Sequence, residues 1–572
     1  MGSKGAGGAG DGIRTTGGVD DELRTATRVL TSCEQAAEQA GEPAAALAGA
    51  LRDAADGLRE PLRLAVAGQI KRGKSTLVNA LLGERVALTG QLEVTFTVSE
   101  LYYARERTVT VRHRDGTSRT LPAEAYGEMT ARDESRASIL TNVTRVEHGI
   151  PNELLRTFRL ADTPGLGSVH GVDSRNSHDF LGISSFAGEE DRKAFEAALS
   201  ASGRTAQELH DDSVREIKDA KAVLYVFARG LHDHDRLSVR EFLGNTGDER
   251  TPLNTFGVLS RCDLLWPPSE DYAEEFDLLT WDPMAEAARM ADKLLGRPGV
   301  RSVFYTIVPI AGLVGEGARL LTGDEIDVLA ELAKAPPKVL VNRLRDTTRF
   351  ALGELRGIDV PPERRRPLVE RIGTWGIHRA CGFLRDGATE DELRTALVEV
   401  SGVAALRDLV VRHFGSRESL MKLEDGLRGV EGTLAELRRR AAGGGTPVPP
   451  VAAEVAGRLE RLRLNTAGFA ELGILSAHYR GELRLSPAET EELLRVTGEH
   501  GTSLARRLDA PDTAGFQELR ATALDRIRAW ARREQDPALD RASRRAARAV
   551  RRSYERLLEH ITEPPGPTEG GV

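Results

Sequence analysis

Hydrophobic residues recur along this chain with two different periods, and the change of period divides it into regions. Two helical patterns, over residues 21–39 and 43–58, are separated by the break Gly41-Glu42-Pro43. From Leu62 to about Gly317, short apolar runs alternate with helical patterns. Strand patterns then nearly vanish, so roughly the last 250 residues are predicted to be helical.

Six of the short apolar runs are predicted to be strands: Leu62–Ala67, Thr108–Val111, Thr157–Leu160, Ala222–Phe227, Asn254–Leu259 and Phe304–Val308. Strands that alternate with helices predict a doubly wound, mostly parallel α/β sheet. Capping boxes are expected before three later helices, at Thr322–Glu325, Thr389–Glu392 and Ser486–Glu489.

These patterns predict seven regions. They are a disordered tail at 1–19, N-terminal neck helices at 20–60, an α/β domain at 61–320, a helical stalk region at 321–442, a linker at 443–450, a helical stalk or neck region at 451–563, and a disordered tail at 564–572.

Composition narrows the class of protein. The chain has 572 residues and a net charge of −8. A net negative charge does not indicate a surface that binds nucleic acid, so no nucleic-acid partner is predicted. The cysteines, Cys33, Cys262 and Cys381, lie far apart and match no metal-site spacing, which favours a reducing compartment and a cytoplasmic location. The sequence contains no run of about 18 apolar residues, so it predicts no membrane-spanning helix.

A phosphate-binding loop follows the first predicted strand. Its glycines allow backbone N–H groups to surround an anion, Lys74 supplies a positive charge, and the Ser75 hydroxyl suits Mg²⁺. The expected nucleotide-binding residues here are Gly68, Gln69, Ile70, Lys71, Arg72, Gly73, Lys74, Ser75 and Thr76. Arg72 is expected to be exposed, and Lys71 is either a solvent-facing charge or a cation that acts on the phosphates.

A second motif, Asp162-Thr163-Pro164-Gly165, ends a predicted strand. In a phosphate-loop fold the aspartate holds Mg²⁺, directly or through water, and the N–H group of Gly165 meets the γ-phosphate. Between the two motifs, a switch hydroxyl must reach Mg²⁺ only while the γ-phosphate is present. Thr95 is favoured for this role over Thr97 or Thr89, although spacing alone does not decide among them.

A third motif, Ser260-Arg261-Cys262-Asp263, follows another predicted strand. Asp263 can accept hydrogen bonds from N1 and N2 of guanine, and the stem of Arg261 can lie along the base. Guanine is favoured over adenine because an aspartate would face the N1 lone pair of adenine without a donor. A solvated aspartate at a strand end is the simpler alternative.

These motifs resemble the bacterial dynamin-like GTPases, especially an actinobacterial branch that includes isoniazid-inducible and sporulation-septum proteins. The resemblance is strong over residues 62–317, through KRGKSTLVNALLG, DTPGLGS, VLSRCDLLWP and TIVPIAGL. It is weaker over 368–423, through GTWGIHRACGFLRDG and VSGVAALRDLVVRHF. It also supports Thr95, because VT-x-x-x-S-x-L-x-Y matches the switch stretch of that family.

The resemblance implies a P-loop GTPase head on a helical neck or stalk, with GTP as substrate and Mg²⁺ as cofactor. Lys71, Lys74, Thr95 and Gly165 are the implied catalytic residues, and Ser75, Thr95 and Asp162 the implied metal ligands. The implied partners are a second copy, as a head-to-head dimer or higher oligomer, a paralogous dynamin-like protein, and an anionic membrane surface at the inner face of the cell membrane.

Three departures from the family pattern bear on mechanism. Leu166 stands where small GTPases carry a water-orienting glutamine, so switch backbone or Thr95 must position the water. Lys71 occupies a position where eukaryotic relatives use a serine that helps to bind a cation. An insertion of unknown role is expected over Ser168–Ala220.

Two segments are candidates for membrane contact. Residues 538–561 carry arginines on one helical face and mostly alanine on another, which favours packing in a bundle over insertion into lipid. Leu464–Tyr479 could form an apolar tip, but core packing is favoured there too. The leading hypothesis is a GTPase that remodels membranes by self-association. The alternatives are a GTP-dependent switch or scaffold for a protein partner, and an ATP-using P-loop protein, against which Asp263 argues.

Overall fold

The computed structural model describes residues 17–68, 72–86, 98–113, 115–122, 143–163, 205, 208, 212, 215–216, 220–228, 252–268, 277–415, 417–444, 446–501 and 503–561. It divides into two compact units. The head unit is Pro61–Gly415, and the helical unit combines Met1–Glu60 with Ser416–Val572.

A nine-stranded sheet forms the centre of the head unit. Its strands are β1 (Leu62–Gly68), β2 (Val98–Tyr103), β3 (Thr108–His113), β4 (Ser118–Pro122), β5 (Val143–Ile150), β6 (Phe158–Asp162), β7 (Ala222–Ala228), β8 (Thr255–Ser260) and β9 (Thr306–Pro309). Their order across the sheet is β4-β3-β5-β2-β6-β1-β7-β8-β9. The run β6-β1-β7-β8-β9 is parallel, while β2 pairs with β6, and β3 with β4 and β5, in antiparallel fashion.

The central strands are apolar on both faces, as expected of parallel strands that helices cover. All seven residues of β7 and all six of β8 are buried. Helices of the head unit are α3 (Lys74–Leu82), α4 (Leu154–Thr157), α5 (Pro283–Leu295), α6 (Gly312–Leu320), α7 (Gly323–Ala333), α8 (Pro337–Leu344), α9 (Thr347–Leu352), α10 (Pro362–Arg385), α11 (Glu390–Val400) and α12 (Val403–Gly415).

The helical unit takes its helices from both ends of the described chain. They are α1 (Gly17–Gln39), α2 (Ala45–Gly57), α13 (Glu418–Ala442), α14 (Pro450–Asn465), α15 (Ala467–Tyr479), α16 (Pro487–Val496), α17 (Leu504–Leu508), α18 (Phe516–Glu534) and α19 (Arg541–His560). Leu30 and Leu51, from the first two helices, share one core with Leu427, Val430 and Leu459. The first two helices therefore complete a bundle whose other helices lie some 360 residues later in the chain.

Most predicted elements are confirmed. The two helices before the first strand, the six predicted strands and all three capping boxes are present. Their ends differ from the prediction by at most about two residues, except that the first helix begins four residues earlier, at Gly17. Of residues 443–450, predicted as a linker, 443–449 lie between α13 and α14, and Pro450 is the first residue of α14. Strands β2, β4 and β5 were not predicted.

The division at residue 320 differs from the structure. Helices α7 to α12, placed in the stalk from sequence, belong to the head unit. The physical reason is a shared core, because Leu329, Ile372 and Leu393 pack with Val314 and Ala318 of α6. Helical periodicity shows that a helix has an apolar face, but it does not show which partner covers that face.

Both segments considered for membrane contact pack most of their apolar residues inside the helical unit, although Leu464, at the start of the 464–479 segment, is 75% exposed. In α15, Ile474 and Leu475 are buried, and in α19, Ala546, Val550 and Leu557 are buried. Within the described residues, no helix is long and apolar enough to cross a membrane.

Candidate nucleotide-binding site

The predicted phosphate loop begins at the end of the central strand β1. Gly68 has a φ of 141°, and a Cβ atom there would lie 2.1 Å from the carbonyl oxygen of Val226 on β7. Any other residue would collide with the neighbouring strand, so this position requires glycine. Gly73 has a φ of 90° and directly precedes α3, which begins at Lys74. Gln69, Ile70 and Lys71 lie outside the described residues.

Lys74 and Asp162 place opposite charges in a buried position. Lys74 is 6% exposed and Asp162 is 7% exposed. Burial lowers the pKa of Lys74 to about 8, and the charge of Asp162 opposes that shift. Burial also raises the pKa of Asp162, against the influence of Lys74 and Ser75. Each charge thus compensates part of the cost of burying the other.

Ser75 and Asp162 have the donor set that a magnesium ion requires. The Ser75 hydroxyl donates a 2.7 Å hydrogen bond to Oδ2 of Asp162. The other carboxylate oxygen, Oδ1, is buried without a hydrogen-bond partner among the described residues. A buried oxygen without a partner is costly, and a hard cation held by hydroxyl and carboxylate oxygens would satisfy it. The residues present therefore fit Mg²⁺.

Thr163 fixes the strand end that carries Asp162. Its backbone N–H and its hydroxyl both donate to the carbonyl oxygen of Val66 on β1, at 3.2 and 3.0 Å. The two motifs are therefore fastened together through the backbone of the central strand. Gly165 and Thr95, predicted to contact the γ-phosphate and Mg²⁺, lie outside the described residues.

Ser260 links the base-recognition motif to the phosphate loop. Its hydroxyl lies 2.7 Å from the carbonyl oxygen of Arg72 and 3.0 Å from that of Phe227. The sequence predicted Ser260 only as the first residue of this motif and gave no sign of its contact with the phosphate loop. Arg72 itself is partly buried, in contrast to its predicted exposure.

Asp263 is a buried carboxylate at the end of β8. It is 7% exposed, and burial raises its pKa, although its own backbone N–H and the charge of Arg261 oppose the shift. Arg261, which precedes it, is exposed and adopts a φ of 59°. The buried position disfavours the alternative of a solvated surface aspartate and suits an acceptor that awaits donors from a ligand.

Parallel pairing brings these motifs to one edge of the sheet. Val66 is in register with Asp162, Gly68 with Val226, and Ala228 with Ser260. Loops at the carboxyl ends of parallel strands are the usual binding site in open α/β sheets. The structure thus brings Gly68, Lys74, Ser75, Asp162 and Asp263 to the same edge.

A further polar contact, which the sequence did not reveal, holds α3 in place. Asn79 is fully buried, and its amide donates a 3.0 Å hydrogen bond to Glu316 on α6. Its side-chain oxygen accepts from the backbone N–H of Val86. Asn79 sits one turn after Ser75, so these bonds help to orient the helix whose N-terminus faces the phosphate loop.

Comparisons with known proteins agree with this geometry. Residues 64–258 match the sequence profile of the dynamin family. The isoniazid-induced protein IniC of Mycobacterium tuberculosis is 28% identical over 507 residues, which cover 88% of this chain and 91% of IniC. The dynamin-like protein 2 of Campylobacter jejuni is 32% identical over 112 residues, 19% of this chain and 18% of that protein.

A solved chain from an oligomerised bacterial dynamin pair, described as sensing and tethering membranes, covers 94% of this chain and 90% of its own length. It is 13% identical with a TM-score of 0.28, too low to add to the assignment. The family match and the IniC alignment, together with the nine-stranded sheet and its helical continuation, establish the fold. Residues 64–258 thus match the dynamin family and carry a dynamin-like GTPase fold, and the chain is a homologue of IniC along most of its length.

Proposed function

We propose that this protein hydrolyses GTP to GDP and phosphate, and that the hydrolysis cycle controls self-association at membranes. The observation that carries the catalytic part is the buried Oδ1 of Asp162, which has no hydrogen-bond partner among the residues that the structure describes, beside the Ser75 hydroxyl and the Lys74 ammonium group. Dynamin-family membership supports the same reaction.

In this proposal the residues of the site have separate roles in phosphoryl transfer and in base recognition. Lys74 binds the outer phosphate oxygens. Their negative charge compensates the positive charge of its buried ammonium group. Ser75 and Asp162 would hold Mg²⁺, which neutralises charge that develops on the phosphates. Asp263 selects guanine, with the stem of Arg261 along the base.

Three residues that the structure does not describe complete the proposal. We assign Thr95 to the switch that senses the γ-phosphate, Gly165 to a backbone contact with that phosphate, and Lys71 to a fixed positive charge in the loop. Because Leu166 has no amide side chain to orient water, backbone groups of the switch or Thr95 must hold the attacking water molecule.

The catalytic proposal is tested by changing the phosphate-loop residues. Lys74→Ala and Ser75→Ala should lower the affinity for labelled GTP in the presence of Mg²⁺ by about two orders of magnitude or more. Ser75→Thr, which retains the hydroxyl, is the matched control and should keep most of the binding. Wild-type affinity in both alanine variants would exclude this loop as the phosphate site.

A second candidate is a GTP-dependent switch or scaffold that acts on a protein partner without lipid. It is favoured by the burial of the apolar residues in α15 and α19, because neither helix has an apolar face left to enter a bilayer. Sedimentation with anionic liposomes, in GDP and in a GTP analogue, separates the candidates. Membrane remodelling requires co-sedimentation, and a protein that stays in the supernatant in both nucleotides is a switch or scaffold.

A further inference from the structure

Helices beyond the dynamin-matched residues pack against the base-recognition end of the site. The family match ends at residue 258, whereas α10, α11 and α12 occupy residues 362–415 of the same head unit. Three separate contacts join these helices to the two loops at the ends of β8 and β9. The two loops are themselves connected, because the Cys262 N–H donates to the carbonyl oxygen of Ile310 at 3.1 Å.

The first contact is a break in α10 beside Asp263. Gly373 has φ 66° and ψ 174° in the middle of the helix, a conformation that is essentially restricted to glycine. A Cβ atom at Gly373 would lie 3.8 Å from Oδ2 of Asp263 and 3.7 Å from Leu313. The backbone of α10 thus lies directly against the carboxylate that is proposed to bind guanine.

The second contact stacks two rings behind the same loop. Trp266 follows Asp263 by three residues, and its ring lies 5.4 Å from the ring of His378 with only 11° between the planes. Both side chains are buried, at 3% and 8% exposure. His378 is on the part of α10 that begins after Gly373, so one helical segment touches the loop at both places.

The third contact holds the end of β9. The Ala311 N–H donates a 2.8 Å hydrogen bond to the carbonyl oxygen of Ser401, between α11 and α12. Gly402 has a φ of 77°, and a Cβ atom there would lie 2.6 Å from the carbonyl oxygen of Pro309. This turn can approach the strand end only because it lacks a side chain.

We infer that Gly373 and the Ser401–Gly402 turn are positioning residues for base recognition. They hold Asp263 and the Pro309–Ala311 strand end in the geometry that reads the base, and none of the three contacts involves a residue of the phosphate loop. The helices at 362–415 are therefore part of the nucleotide-selective site. This inference rests on the proposed guanine-nucleotide function, because it assigns residues to the base half of that site.

The test compares ligands that use both halves of the site with one that uses only the phosphate half. Gly373→Ala and Gly402→Ala are assayed for labelled GDP, with unlabelled GDP, ADP and inorganic triphosphate as competitors. Both variants should bind GDP about tenfold more weakly, which is the effect of losing a hydrogen bond to a charged group, with a lower GDP-to-ADP affinity ratio. Inorganic triphosphate should compete within about twofold of wild type, since the phosphate loop is unchanged.

Gly387→Ala is the matched control. Gly387 also has a positive φ, 89°, at the end of α10, but nothing lies within 4 Å of its Cβ position. It should impose similar backbone strain without altering the GDP-to-ADP ratio. If both glycine variants unfold, His378→Ala decides the question, because it removes the ring behind Trp266 without straining the backbone and should lower the same ratio by about threefold.

The outcomes are distinct. A folded Gly373→Ala or Gly402→Ala variant with the wild-type GDP-to-ADP ratio overturns the inference, and so does an unchanged ratio in His378→Ala where both glycine variants unfold. A wild-type protein that binds neither GDP nor inorganic triphosphate refutes the proposed function itself. Equal loss of GDP and triphosphate binding shows a general structural role and also overturns the inference.

Discussion

Asp263 combines a charge with near-complete burial. The cost of burying a carboxylate is recovered when a ligand donates hydrogen bonds to it, and guanine offers N1–H and the N2 amino group on one edge. Exchange of the carboxylate for an amide keeps the size of the side chain but replaces one acceptor oxygen with a donor. The choice of base should therefore change while the shape of the site is preserved.

Asp263→Asn is expected to shift preference from GTP to xanthosine triphosphate, because the new amide can donate to O2 of xanthine. The affinity ratio of the two nucleotides should change by about tenfold or more, as measured by competition against a labelled nucleotide. Asp292→Asn, at an exposed position on α5, is the control and should leave the ratio unchanged. A variant that still prefers GTP would show that the base binds elsewhere.

At the scale of single residues, the local sequence predicted the residues of the proposed site and missed the contacts that position them. Gly68, Lys74 and Ser75 have the spacing of a phosphate-binding loop. This spacing can be recognised in a sequence because phosphate binding requires these residue types at these positions. The hydrogen bond from Ser260 to the carbonyl oxygen of Arg72 joins positions 188 residues apart, and the sequence around Ser260 does not predict it. Gly373 likewise resembles an ordinary helical glycine until α10 is placed beside Asp263.

At the scale of elements, two of the strands that the sequence missed, β2 and β5, contain charged residues that pair with residues elsewhere in the head unit. In β5, Arg145 bonds to Glu100 on β2 at 2.7 Å and also pairs with Glu216. Glu147 of the same strand pairs with Arg112 on β3. These charges interrupt the apolar alternation that predicts a strand, and only the assembled sheet shows that each is compensated.

Helix α10 carries a group whose protonation opposes folding. Burial, and then the charge of Arg379, lowers the pKa of His378 to about 4 from an ordinary value of 6.5. Between these values the unfolded chain binds a proton that the folded head excludes, so stability is retained above about pH 6.5 and falls as the pH drops toward 4. The full loss from this one group is up to about 3 kcal/mol.

His378→Phe should remove this part of the pH dependence while keeping an aromatic ring against Trp266. Measured by denaturant unfolding, the difference in unfolding free energy between variant and wild type should move in favour of the variant from pH 7.5 to 5. His560→Phe, at an exposed position, should show no such trend and corrects for the carboxylates that all the proteins share. Parallel pH curves for wild type and His378→Phe would contradict the assignment.

Helices α2 and α13 approach each other through a glycine. A Cβ atom at Gly426 would lie 3.0 Å from Cβ of Ala54 and 3.2 Å from its Cα, whereas Gly429 on the same helix has nothing within 4 Å. Gly426→Leu should therefore force the helices apart and lower the unfolding free energy of the helical unit by about 1–3 kcal/mol.

Gly429→Leu is the matched control, since it gains the same helix propensity and should be neutral or stabilising by up to about 1 kcal/mol. Urea unfolding followed by circular dichroism measures both changes. Equal stability of the two variants would mean that α2 and α13 do not pack closely through Gly426.

At the scale of the whole molecule, the sequence of the proposed site has no glutamine at the position where small GTPases orient the attacking water. Leu166 cannot do so, and a single loop cation does not by itself fix the attacking geometry. A second head that shields the nucleotide from bulk water would strengthen each charge contact at the γ-phosphate. About 3 kcal/mol of transition-state stabilisation gained in this way would accelerate hydrolysis roughly a hundredfold.

GTPase activity per molecule should therefore rise with protein concentration across a dilution series. Light scattering should show larger species with GTP or a transition-state mimic than with GDP, which serves as the control nucleotide. Flat specific activity together with a monomer in all three states would exclude association of heads and leave the switch or scaffold as the better account.

The order of segments along the chain also determines when the helical unit can fold during synthesis. The head unit, 355 residues from Pro61 to Gly415, separates α1 and α2 from the helices that share their core. At about 5–20 residues per second, a ribosome needs roughly 20–70 seconds to synthesise that stretch. During this interval Leu30, Leu47 and Leu51 cannot yet contact α13 or α14, so the bundle cannot close until those later helices have been synthesised.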